Sequence, residues 1–278
     1  MIHINNLSFG YSKKKLLYNG LTLSLEKGKI YGLLGKNGAG KSTFLKNISG
    51  LLFPTRGTIS VFGKEPRKRS PSFLQNIYLI PEEVYVPAIP VSRYIKIFAP
   101  FYPLFNEEQF YKYLGVLEVE KDAHLKALSF GQQKKFIFAF ALACNTGLLL
   151  LDEPTNGLDI PSKAQFRRLL AGIMNEERTI LISTHQTRDL ENLIDSVLII
   201  DNGNLLLNDS MDTISQKLDF KTLKELPANE TILFSESAFG GFVVVQENTN
   251  KEYHQINLEH LFNAVVNEPA AIKKIFLS

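Results

Sequence analysis

Apolar and polar residues alternate along residues 2–9 and again along 21–25, the period of a half-buried strand. Residues 29–34 form a short apolar run that stops at Gly35, and residues 41–49 then read as a helix closed by Gly50. Further strands are predicted at 58–62, between the turn residues Gly57 and Gly63, and at 77–80, stopped by Pro81. From 91 to about 128 the texture is mostly helical and crowded with aromatics: Tyr94, Phe98, Phe101, Tyr102, Phe105, Phe110, Tyr111 and Tyr113. Helical patterns at 129–143 and 162–174 then alternate with strand patterns at 148–151 and 179–183. Residues 196–201 and 204–207 flank Asn202-Gly203, a strong hairpin signal. Beyond residue 210 the pattern weakens to short strands at 231–234 and 242–245 and a helix at 258–266. This order predicts an α/β core over 1–210, a helical insert within it at about 88–140, and a small α+β appendage over 211–278.

The bulk properties fit that picture and narrow the chemistry. The chain has 278 residues, 45% of them apolar, enough for a real core. Its formal charge of +3 gives no reason to expect nucleic acid, and the basic clusters 13–15 and 67–69 are short enough to be solvated turns. The one cysteine, Cys144, excludes a disulfide framework and fits a reducing compartment. Residues 1–9 already alternate like a strand, so no secretory signal is expected there. The longest apolar stretch, 136–151, is cut by Asn145, Thr146 and Gly147, so no membrane span is expected.

Gly35-Lys36-Asn37-Gly38-Ala39-Gly40-Lys41-Ser42 has the spacing G-x-x-x-x-G-K-[ST] between a predicted strand and a predicted helix. Glycines let the backbone turn tightly and point successive N–H groups inward, and the helix that follows adds its positive end. Lys41 is suited to the β- and γ-phosphates of a nucleotide and the Ser42 hydroxyl to Mg²⁺. Leu148-Leu149-Leu150-Leu151 ends in Asp152 and Glu153, acids delivered at the carboxyl end of a buried strand, where α/β sheets keep their ligands. Asp152 is placed to hold Mg²⁺ and Glu153 to polarise an attacking water. Leu128-Ser129-Phe130-Gly131-Gln132 precedes a helix; on its own it is an ordinary helix start, but Ser129 and Gly131 there can offer a hydroxyl and an N–H to phosphate. The strand at 179–183 leads into His185, a third strand end carrying a polar group.

Taken in order, these pieces resemble the nucleotide-binding subunit of ATP-binding-cassette (ABC) transporters over roughly residues 1–210. The resemblance implies a P-loop cassette fold, a mixed sheet with an antiparallel β edge. It places Tyr11 where the family stacks an aromatic on adenine, Gly35 to Thr43 at Walker A, and Glu82 at the Q-loop, beside the Mg²⁺ and the γ-phosphate. Leu128 to Gln132 fall at the signature that separates this family from other P-loop ATPases. Asp152 and Glu153 fall at Walker B, Asn156-Gly157-Leu158-Asp159 at the D-loop and His185 at the switch histidine. The family mechanism then implies ATP with Mg²⁺, a second ATP-binding subunit (a copy or a related chain) and an integral membrane permease. Ser129 and Gly131 would act in trans across the dimer, and Gln132 of the same signature is expected at the nucleotide as well. It also implies a cytoplasmic chain, peripheral on the inner face of the membrane.

Two residues depart from the family pattern. Glu82 stands where glutamine is usual, in Leu79-Ile80-Pro81-Glu82-Glu83, a form shared by cassettes that look like drug, antibiotic or lipid exporters. Phe130 replaces the first signature glycine. The aromatic insert lies where the family docks its membrane partner, which leads to the expectation that some of the residues from Tyr94 to Tyr113 line a groove for a partner helix. Two rival readings are a soluble ABC ATPase of DNA repair, chromosome structure or translation, and a regulatory module that holds ATP without turnover. The first usually carries a long coiled-coil insert or two cassettes, neither visible here; Lys41, Asp152, Glu153 and His185 together argue against the second.

Overall fold

The computed structural model describes residues 1–12, 15–190, 192–226, 232–249 and 255–277; Lys13 and Lys14 of the first basic cluster and Thr231 at the start of one expected strand fall outside them. Strand β1 (Ile2–Phe9) pairs antiparallel with β2 (Tyr18–Leu25); β3 (Ile30–Leu34) and helix α1 (Lys41–Ile48) follow, and β4 (Arg56–Val61) returns to the other edge of β1. Helix α2 (Pro71–Leu74) leads into β5 (Ile77–Ile80). After a helical stretch come β6 (Leu148–Asp152), β7 (Thr179–Thr184), β8 (Ser196–Asp201) and β9 (Asn204–Ser210). The central sheet has the order β5-β6-β7-β3-β8-β9, parallel except for the antiparallel edge strand β9.

Alternate residues of the central strands feed two apolar clusters, as the two-residue strand period requires. Leu148 and Leu150 join Phe44, Leu45 and the antiparallel β1 sheet on one face. Leu149 and Leu151 join the helical insert on the other. The predicted hairpin is present, with Asn202 (φ 47°) and Gly203 (φ 75°) supplying the two left-handed residues of its turn. Strand β2 begins three residues earlier than expected because Tyr18 pairs with Phe9. Strand β4 ends at Val61 because Phe62 turns to φ 53°.

The insert comprises α3 (Val91–Phe98), α4 (Glu107–Val116) and α5 (Phe130–Ala143). Tyr94 and Phe110 pack against Phe136 and Phe140 of α5 with ring centroids 5.0–6.2 Å apart, mostly edge to face. Helix α6 (Ile160–Ile173) starts before the expected Ser162, because Asp159 caps it by accepting the Ser162 N–H at 2.9 Å.

Past β9 lie α7 (Met211–Lys217), β10 (Leu218–Leu223), β11 (Ile232–Ala238), β12 (Gly241–Glu247), α8 (Leu258–Asn267) and α9 (Pro269–Leu277), with the small sheet ordered β10-β12-β11. Helix α8 buries Leu258, Leu261, Ala264 and Val265 in the same cluster as the insert. Helices α7 and α9 and strand β10 are additions to the sequence expectation.

Candidate functional site

The loop of residues 35–42 joins β3 to α1 at the carboxyl end of the parallel sheet. Gly40 caps α1 at φ 104°, and an added Cβ there would fall within 3 Å of the Tyr18 ring, whose hydroxyl donates to the Gly40 carbonyl. Among the described residues no side chain caps α1, so its first N–H groups face the loop. Lys41 is buried and folds back to donate from Nζ to the carbonyls of Gly35 (2.9 Å) and Lys36 (3.3 Å). Gly35 and Ala39 are buried beneath the loop, while Lys36, Asn37 and Gly38 are exposed along it. The loop floors a cleft of about 590 Å³, lined by Asn37, Gly38, Gly40, Lys41, Ser42 and Thr43 below, by Tyr11 and Leu17 on one side and by Glu82, Glu153 and His185 on the other. Tyr11 is 71% exposed, its ring edge-on to Phe9 at 5.2 Å and its hydroxyl 2.8 Å from that of Thr43.

Strand order brings the polar strand ends to this loop. Strands β6 and β7 are neighbours and β7 pairs with β3, so the tips of β6 and β7 stand beside residue 35. Asp152, buried, accepts the Ser183 hydroxyl across the β6–β7 pair. Glu153 leaves the strand at φ 45°, a left-handed conformation that costs a non-glycine residue roughly 1 kcal/mol. Its N–H donates to the Ser183 carbonyl at 3.0 Å. Its carboxylate then reaches Lys41 Nζ at 3.6 Å and His185 Nδ1 at 2.9 Å, and accepts the His185 N–H at 3.3 Å. Lys41 and His185, from distant parts of the chain, thus meet on one carboxylate.

A polar chain runs outward from Glu82. Asn156 donates from its amide to Glu82 Oε1 at 3.1 Å and accepts from Gln186 at 2.9 Å. Lys163 donates to Gln186 (2.7 Å) and Asp189 (2.8 Å), and Thr155 to Asp189 (2.6 Å). Lys134, buried on α5, donates to the Asn156 carbonyl at 2.8 Å. Burial pulls its ammonium below the usual lysine range, while the negative charge of Glu82, then of Glu153 and Asp152, pulls the other way. Sequence reasoning missed Lys134, Lys163, Gln186 and Asp189. Lys134 did leave a signal: it stands four residues from both Phe130 and Phe138 on a helix otherwise apolar on that side.

Ser129 and Gln132 are elsewhere. They close the start of α5 as a capping box, the Ser129 hydroxyl accepting the Gln132 N–H at 3.3 Å and the Ser129 N–H donating to the Gln132 side chain at 3.0 Å. Gly131 lies against the Gly157 carbonyl. None of the three lines the cleft. Among the described residues no cluster of three or more His, Cys, Asp or Glu is placed to hold a metal ion. Of the two residues expected to hold Mg²⁺, Ser42 lines the cleft and Asp152 does not, so a hard cation there would complete its shell with phosphate and water oxygens, a donor set that suits Mg²⁺.

The sequence model of the family described as "ABC transporter" matches residues 18–156. Nod factor export ATP-binding protein I of Burkholderia orbicola is 34% identical over 195 residues, 68% of this chain and 64% of that protein, so this chain spans just under two thirds of that relative's length. The lantibiotic transport ATP-binding protein SrtF of Streptococcus pyogenes is 32% identical over 250 residues, 85% of this chain and 99% of its own length. Among solved structures, an ATP-binding subunit of an ABC transporter superposes with a TM-score of 0.69 at 26% identity, over 77% of this chain and 91% of that one. A bacterial Atm1-family ABC exporter with ATP bound superposes at 0.68 with 20% identity, over 77% of this chain and 39% of the exporter, a likeness of fold.

Proposed function

This chain belongs to the ABC transporter family, and on that premise we propose that it is the ATP-hydrolysing subunit of an export system whose membrane-spanning part is a separate chain. The observation that carries this is the meeting of Lys41, in the floor of the cleft, with Glu153 and His185 on its wall, beside an uncapped helix start. In this reading the 35–42 backbone and Lys41 hold the β- and γ-phosphates, and the adenine lies on Tyr11. Ser42 and Asp152, with Glu82, would hold Mg²⁺, which would supply positive charge to the transferred phosphate. Glu153 takes the proton of the attacking water, and His185 orients the Glu153 carboxylate and meets the γ-phosphate. ATP must compete for Lys41, whose ammonium is already held by the Gly35 and Lys36 carbonyls and lies 3.6 Å from Glu153.

The signature residues complete the site in trans. A copy of the chain suffices, because each subunit carries both halves of a self-complementary contact. Ser129 and Gly131 of the second subunit close on the phosphate, with Gln132 supporting them. The working unit takes 1–210 as the ATP-binding part, with its insert at about 88–140, and 211–278 as an appendage.

A second cleft, about 610 Å³, is lined by Leu51, Leu74, Leu79, Phe101 and Tyr102 with Arg69 at its rim, and is proposed to seat a helix of the permease. Of the eight insert aromatics, Phe101 and Tyr102 line it, whereas Tyr94, Phe110 and Tyr113 are core. Among the described residues no helix is long and apolar enough to cross a membrane. The chain is accordingly proposed to sit on the inner face of the membrane, held by that groove. Export follows the roles that the relatives' names carry and the Pro81-Glu82-Glu83 sequence.

The test is Glu153→Gln. The variant binds ATP, doubles its mass in the presence of ATP and loses turnover by at least about a hundredfold, the scale of a removed general base. Turnover at the wild-type rate would remove Glu153 from the reaction.

A further inference from the structure

The two departures from the family pattern, Glu82 and Phe130, lie far apart in the sequence but are joined in the fold by Lys134 and the turn at Asn156-Gly157. Phe130 projects from the first turn of α5, half exposed, with its ring beside Gly157; a Cβ on Gly157 would meet that ring at 3.6 Å. Lys134 lies one turn further along α5 with its ammonium 5.3 Å from the centre of the Phe130 ring. Only 6% of Lys134 is exposed, and among the described residues no carboxylate lies within ion-pair distance of it. A buried ammonium without a directly bonded carboxylate is costly unless charge nearby offsets it. Its ammonium donates to the Asn156 carbonyl, and the amide of the same Asn156 donates to Glu82. A single residue therefore ties a buried positive charge to the negative charge at the rim of the phosphate cleft.

We propose that Lys134 and Asn156 are positioning residues for Glu82. Lys134 supplies the counter-charge and Asn156 the hydrogen bond that let a carboxylate stand where ATP brings several negative charges, and Phe130 shields that ammonium from water. The acid at residue 82 and the phenyl ring at residue 130 are then two ends of one arrangement. Without Lys134 the Glu82 carboxylate repels the γ-phosphate; without the carboxylate, Lys134 loses most of its influence on the cleft. The inference rests on the ATPase reading above.

The test is a four-protein cycle of the wild-type chain, Lys134→Met, Glu82→Gln and the double variant. Each is titrated with a fluorescent ATP analogue in EDTA, and the Mg²⁺ concentration for half-maximal turnover is measured separately. Lys134→Met weakens Mg²⁺-free binding about fivefold in the wild-type background and by less than about twofold in the Glu82→Gln background, the coupling of charges that share one partner. The Mg²⁺ requirement falls with the same background dependence, because a carboxylate freed of its counter-charge attracts the cation more strongly. Lys134→Arg, which keeps the charge, stays close to wild type. Lys134→Gln repeats the cycle if the methionine variant does not fold. Equal losses in the wild-type and Glu82→Gln backgrounds would overturn the proposal while leaving the ATPase reading intact. Failure of the wild-type chain to bind the analogue would instead overturn the ATPase reading itself.

Discussion

Two helix starts in this chain are made from the same ingredients, a hydroxyl, a glycine and unpaired backbone N–H groups, and they end in opposite states. At α1 no side chain among the described residues caps the helix, Gly40 takes φ 104° to keep the loop open, and Lys41, Glu153 and His185 gather around it above a cleft of about 590 Å³. At α5 the Ser129 and Gln132 side chains close the helix on themselves, and neither faces that cleft. An N–H left without a side-chain partner at a helix start is available to an anion; one satisfied by its own capping box is not, until a ligand competes for it. The contrast suggests a division of labour in which α1 binds nucleotide within one chain, whereas α5 is complete as a surface and functions when another chain presents a phosphate to it.

Gly131→Asp separates the two helix starts with the largest expected effect. An added Cβ at Gly131 meets only the Gly157 carbonyl, at 3.7 Å, so the variant keeps its fold. Its carboxylate sits where the second subunit's phosphate is expected, and turnover falls by about a hundredfold, on the scale of losing one transition-state donor. Binding of ATP to the isolated chain is unchanged. A parallel loss of ATP affinity, read by nucleotide titration, would mean that α5 belongs to the same site as α1. Tyr11→Ala makes the converse change. It acts on the α1 side, so it weakens ATP binding by roughly fivefold to tenfold, the contribution of one aromatic contact, while ATP-dependent mass doubling persists at saturating nucleotide. Ser129→Ala has the smallest effect on the isolated chain. It removes the cap of α5 and lowers stability by about 1 kcal/mol, measured by urea unfolding with an unchanged slope. A stability identical to wild type would show that the capping box is not the resting state of this helix start.

The sequence named the groups at the α1 site but not how they meet. The loop at 35–42 was legible because its spacing is a local requirement of phosphate binding. The contact of Glu153 with Lys41 and His185 was not, because it depends on β6, β7 and β3 being neighbours and on Glu153 turning to φ 45°. Helix α5 hid its own role in another way. It is buried on nearly every side, so no amphipathic period showed that Phe136 and Phe140 are the platform for Tyr94 and Phe110. The C-terminal region was least legible. Strand β10 follows α7 with no turn residue between Lys217 and Leu218, so the short alternation Leu218-Asp219-Phe220-Lys221 has no boundary to mark it. At α9, Pro269 reads as a stop but occupies the first helical position, where proline is tolerated.

In the proposed dimer one chain's α1 site is finished by another chain's α5. The most direct measurement mixes two inactive variants, Lys41→Ala and Gly131→Asp, and follows phosphate release. Each alone is inactive because every site in its dimer lacks one half. In a mixed dimer, the loop of the Gly131→Asp chain meets the intact Ser129 and Gly131 of the Lys41→Ala chain, and one complete site forms. Completion in trans predicts that turnover returns on mixing and rises with the heterodimer fraction. A mixture as inactive as its components, although the two chains are shown to associate in ATP, would contradict it and place both halves of the site within a single chain.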